Sequence, residues 1–74
     1  MVLKIECINH SIYLDFESEA EAEKQMYLYN GLFKKEGHIY IKDDEYNCIL
    51  YNSNILGMYV ISDKAFYNDK YRKR

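Results

Sequence analysis

The chain has no tryptophan and no proline, and only three glycines and two cysteines in 74 residues. Each shortage excludes something. Without proline, and with Gly31, Gly37 and Gly57 isolated, nothing resembles an interdomain linker. Neither GxGxxG nor GxxxxGKS or GxxxxGKT occurs to cradle phosphate, so the glycines read as turn or bulge residues. Cys7 and Cys48 sit singly in apolar alternating stretches with no CxxC pair, and read as reduced, buried apolar side chains. No apolar run approaches the ~18 residues of a spanning helix. No basic region followed by an apolar one opens the chain, so the expected setting is soluble and cytoplasmic, with no membrane partner.

What the chain has in quantity is tyrosine, at nine residues. Tyrosine packs an apolar ring while its hydroxyl seeks water or a partner, which suits open sheet faces and the centres of contact patches. An apolar fraction of 49% with 30% charged residues is that of a globular chain. A formal net charge of −2 does not suggest general affinity for nucleic acid. At this length there is one small core, so stability is expected to be marginal. Isoleucine, lysine, asparagine, tyrosine and glutamate make up about half the residues, a bias associated with AT-rich coding sequence. It points towards a phage or mobile-element product.

Residues 2–16 read as a hairpin. With Asn9-His10 as a two-residue turn, Cys7 opposes Ile12, Ile5 opposes Leu14 and Leu3 opposes Phe16, while Lys4 meets Asp15 on the other face. Ser18-Glu19-Ala20-Glu21 has the form of a capping box and predicts a helix with Ala22, Met26, Tyr29 and Leu32 or Phe33 along one stripe. Asn30-Gly31 either caps that helix or turns a hairpin; the unbroken run from the cap favours the helix ending there. Residues 38–42 and 46–52 alternate as strands about the acidic turn Asp43-Asp44-Glu45. Residues 55–62 are apolar on both sides, which predicts a central or covered strand. Beyond them Ser62 or Asp63 opens a short helix anchored by Phe66 and Tyr67, ending in the basic run Lys70-Tyr71-Arg72-Lys73-Arg74. The order β-β-α-β-β-β predicts an α+β class: a small, mostly antiparallel sheet with one helix on one face. Residues 1–62 form the domain, and residues 63–74 a basic tail or short helix.

No constellation points to catalysis. His10 and His38 lack a nucleophile or carboxylate at a recurring catalytic spacing. The acidic turn lacks the alternating oxygens, glycine and distal glutamate of a calcium loop. No cofactor or metal is expected. The informative pattern is a face. Pairing Ile41 with Cys48 sets Tyr40 opposite Ile49 and His38 opposite Tyr51, and places His38, Tyr40, Lys42, Asn47, Ile49 and Tyr51 together. Tyr13 joins them if the first hairpin belongs to the same sheet. Sparse charge with aromatic rings matches the centre of a protein interface. The function expected is binding of another protein, as adaptor, inhibitor or accessory subunit acting on a host protein, through Tyr13, His38, Tyr40, Lys42, Ile49 and Tyr51. The same patch closing on itself gives a homodimer. The alternative is a weak single-stranded nucleic-acid binder that stacks bases on Tyr40 and Tyr51 and uses Lys70, Tyr71, Arg72, Lys73 and Arg74 for phosphates. A minor reading takes the acidic helix start and the 43–45 turn as a decoy for a basic site. A covered face, roofed by Phe66, Tyr67 and Tyr71, is the structural counter-reading.

Overall fold

The alternating stretch at the start of the chain folds as the expected hairpin. In the computed structural model, which describes residues 1–71, β1 (Val2–Cys7) pairs antiparallel with β2 (Ser11–Asp15). The register differs by two residues from the one expected: Leu3 faces Leu14, Ile5 faces Ile12, and Lys4 faces Tyr13 rather than Asp15. The turn is Ile8-Asn9, closed by the Cys7 N–H donating to the His10 carbonyl at 2.8 Å, and none of its residues has a positive φ. A two-residue slip keeps every side chain on its face. Leu3, Ile5, Cys7, Ile12 and Leu14 are therefore buried together, as the pattern requires.

Ser18 caps the helix that follows, its hydroxyl accepting from the Glu21 N–H at 3.2 Å. The Glu21 carboxylate accepts from the same hydroxyl at 3.4 Å instead of reaching the serine's N–H, so half of the capping box forms. Helix α1 runs from Glu19 to Glu36, straight through Asn30-Gly31, which neither caps nor turns. It stops at Gly37, where φ is 80° and the glycine N–H donates to the Phe33 carbonyl at 2.9 Å. Continuing past Gly31 costs about 1 kcal/mol of helix propensity. It brings Phe33 into the core, which gains about 2–3 kcal/mol, and sets Lys34 and Lys35 at the negative end of the helix dipole. Burial of Phe33 decides the length.

Strand β3 (His38–Lys42) and strand β4 (Asn47–Tyr51) form a second hairpin in the expected register, with Tyr40 opposite Ile49, His38 opposite Tyr51 and Ile41 opposite Cys48. Asp43 shapes the turn: its carboxylate accepts from the Glu45 and Tyr46 N–H groups at 2.8 and 2.7 Å. A single 3-10 turn at Asn52–Asn54 leads into β5 (Ile55–Ile61). This strand lies at the edge of its sheet and is not central: the order is β2-β1-β5, with β3-β4 as a separate pair. Leu56 has no partner on β1, because the register shifts between Glu6 and Cys7.

The class is α+β, with five strands in two antiparallel sheets and two helices among the described residues. The core lies where three surfaces meet. Rows Leu14–Leu3–Val60 and Ile12–Ile5–Met58 cross the inner face of the larger sheet. Ile39, Ile41 and Leu50 come from the β3–β4 hairpin, and Met26, Tyr29 and Phe33 from α1. Helix α2 (Asp63–Tyr71) packs on the outer face of the larger sheet, its start capped by the Ser62 hydroxyl accepting from the Ala65 N–H at 3.1 Å. Phe66 packs edge-on against Tyr13 with ring centroids 5.1 Å apart. Asp69 takes Lys4 Nζ at 2.7 Å and the Tyr13 hydroxyl at 2.5 Å on one carboxylate oxygen. Tyr67, expected as a second anchor, is 64% exposed.

Candidate functional site

Strand alternation alone sorts the β3–β4 hairpin into two faces. Ile39, Ile41 and Leu50 turn inward and are buried, which sends His38, Tyr40, Lys42, Asn47, Ile49 and Tyr51 outward, where every one of them is exposed. The described side chains of α2 do not roof the outward face: Phe66, Asp69 and Lys70 engage Tyr13, Lys4 and Glu45 instead, and the Tyr71 side chain lies outside the described residues. Tyr40, Ile49 and Tyr51 stay 55%, 50% and 54% exposed.

The polar groups of this face are ordered by one another. The Tyr40 hydroxyl donates to Asn47 Oδ1 at 2.6 Å across the strands, which fixes the tip of the ring. His38 Nδ1 lies 3.2 Å from the Glu36 carbonyl, an acceptor to which it can only donate. The His38 and Tyr51 rings lie 6.0 Å apart, tilted at 49°. Side chains already held lose less entropy when a partner arrives. Lys42 supplies the face's cation.

Tyr13 does not belong to this face. It is carried by the other sheet, and its ring lies under α2 with Lys4 and Lys70 nitrogens 5.9 and 5.8 Å from its centroid. The assumption that both hairpins share a sheet fails because the hairpins dock through a side chain and not a ladder: the Tyr13 N–H donates to the Tyr46 hydroxyl at 3.2 Å. Of the residues assigned to phosphate contact, Lys70 pairs with Glu45 at 3.6 Å and stands over Phe66 at 5.5 Å. Tyr71 closes α2, and Arg72, Lys73 and Arg74 lie outside the described residues. Sequence reasoning missed the exposed β5 side chains Leu56 and Tyr59, because a strand apolar on both sides gives no orientation to read.

Chemistry elsewhere is sparse. Cys7 and Cys48 are free thiols lining one cavity of about 220 Å³ with His10 and Leu50. Burial, and secondarily the neighbouring Cys48, pushes the Cys7 thiol up, away from the reactive thiolate. Among the described residues no cluster of three or more histidine, cysteine or acidic side chains could hold a metal ion. Among them, too, no helix is long and apolar enough to cross a membrane. No protein-family model, curated protein or solved structure matches the chain.

Proposed function

We propose that this chain acts by binding another protein, without chemistry of its own, and that the outward face of the β3–β4 hairpin is the centre of the contact. One observation carries the reading: Tyr40, Ile49 and Tyr51 share a face, stand about half exposed, and are covered by nothing in the described chain. Aromatic rings amid sparse charge are the composition of interface hot spots, where truncating one side chain costs about 1–4 kcal/mol of binding. Six side chains on two short strands make the centre of an interface, and the surrounding rim completes the ~800 Å² per partner of a standard one. A protein partner is favoured over a nucleic-acid strand because the face offers Lys42 alone for phosphates, and binding of that kind draws most of its affinity from several such contacts.

The test places a photo-crosslinking residue at Ile49 and compares it in the unmodified and Tyr40→Ala/Tyr51→Ala backgrounds. A discrete protein adduct in the first, lost in the second while the melting transition is unchanged, supports the reading. An adduct that persists in the double variant, or a double variant that unfolds, refutes it. Oligonucleotide binding at low salt that disappears with the same two substitutions would move the face to nucleic acid.

A further inference from the structure

Strand β5 is an outer strand whose one irregularity, the bulge at Leu56, lies near its start and leaves the edge from Gly57 to Ile61 regular. Ile55–Ile61 contains neither a charged residue nor a proline, the usual devices that stop an exposed edge from pairing. Its backbone direction follows from its partner. The Cys7 N–H turns towards β2, while the Ile8 N–H turns the other way and donates to Asn54 at 3.0 Å. Alternation along β1 then makes Val2, Lys4 and Glu6 address β5. Their partners Ile61, Tyr59 and Gly57 point back to β1, so the N–H and C=O groups of Met58 and Val60 point out. Among the described residues nothing pairs with those outward groups. The other edges differ. On β2 the Tyr13 N–H is taken by the Tyr46 hydroxyl; β3 carries Lys42; and β4, like β5 without charge or proline, offers five residues against the seven of β5.

We propose that β5 pairs antiparallel with β5 of a second copy about a two-fold axis at Tyr59, joining the two larger sheets into one. In this register Met58 meets the partner's Val60 and each satisfies the other's outward backbone groups. The bulge selects the centre: pairing about Met58 would set Val60 against Leu56, the residue that the β1–β5 register skips. Tyr59, 47% exposed, then meets its own copy at a non-hydrogen-bonded position, where Cα atoms approach to about 4.5 Å and aromatic pairs are favourable. Met58 and Val60, half-buried at the rim of the core, cover one another across the new ladder. A second copy is the occupant because the edge holds no charge with which to select a different chain. The β3–β4 face remains open in this dimer, so the two surfaces work independently.

Sedimentation of the full chain over a concentration series tests the proposal. The unmodified chain should be a dimer; Tyr59→Glu and Tyr59→Lys should each weaken association by about tenfold or more, since like charges meet on the axis. Mixing the two should restore the dimer, with circular dichroism confirming that each variant folds. A chain that stays monomeric to several hundred micromolar overturns the proposal. So does a dimer indifferent to charge at residue 59, or one the mixture fails to restore. A dimer abolished by Tyr40→Ala/Tyr51→Ala would place the second copy on the hairpin face and overturn it equally.

Discussion

Replacing glycine by alanine should have opposite effects at two positions six residues apart, and the pair tests where the helix really ends. Gly31 lies inside α1, and a methyl added there meets nothing within 4 Å. Alanine should therefore gain nearly the full helix-propensity difference, about 0.8–1 kcal/mol. For a domain of this size that raises Tm by about 4–6 °C. Gly37 also has open space around it, but its φ of 80° is left-handed. There the Cβ is penalised by the backbone itself, at about 1–2 kcal/mol, a fall in Tm of roughly 5–10 °C. Gly37→Asn should lose less than Gly37→Ala, because asparagine tolerates that conformation. Thermal and urea unfolding followed by circular dichroism would measure all three. If Gly31→Ala destabilises, or if Gly37→Ala is neutral, the helix ends at Asn30-Gly31 and the account of Phe33 drawing it onward is wrong.

Two further outcomes test how the parts are joined. Tyr46→Phe keeps the ring but removes the hydroxyl that accepts from the Tyr13 N–H. A loss of about 0.5–1.5 kcal/mol is expected, with faster hydrogen exchange at the Tyr13 amide; unchanged exchange there would show that the hydroxyl does not tie the two hairpins. The docking of α2 should weaken in alkali. Lys4 holds its proton above its ordinary 10.5 because Asp69 hydrogen-bonds it. The Tyr13 phenol is pushed above 10.0, first by burial and then by its bond to Asp69. Both groups are raised on folding, so their contribution is complete below about pH 10 and is lost as pH climbs through the folded values. Unfolding curves should show the unmodified chain losing its advantage over Asp69→Asn above about pH 10. A difference constant through pH 11 would refute the coupling.

Alternation in the sequence was enough to set the register of the second hairpin, because its acidic turn is short and its faces separate: Ile39, Ile41 and Leu50 inward, the tyrosines, Ile49 and the polar groups outward. The helix start was equally readable, since Ser18 followed by Glu21 is a local arrangement. The first hairpin shows the limit. A pattern with a period of two cannot distinguish registers two residues apart, and Ile8-Asn9 turns the chain without any positive φ to mark it. The helix end escaped for a related reason. Asn-Gly is the stronger stop signal locally, and it was overridden by the burial of Phe33, a contact with residues distant in the chain.

The candidate site divides along the same line. Its centre, Tyr40, Ile49 and Tyr51, was legible because one hairpin carries it whole. Tyr13 was misplaced because its membership depended on whether two hairpins share a ladder, and α2 claims its ring through Phe66 and Asp69. Within single elements, then, the order of side chains settled the class of fold, the faces of the first four strands and the cap of the long helix. Folding in three dimensions alone decided which strands became neighbours, which edge stayed bare and which tyrosines were sheltered. The reason is physical: periodicity and capping act within a few residues, whereas sheet order and roofing depend on which apolar surfaces, far apart along the chain, bury one another best.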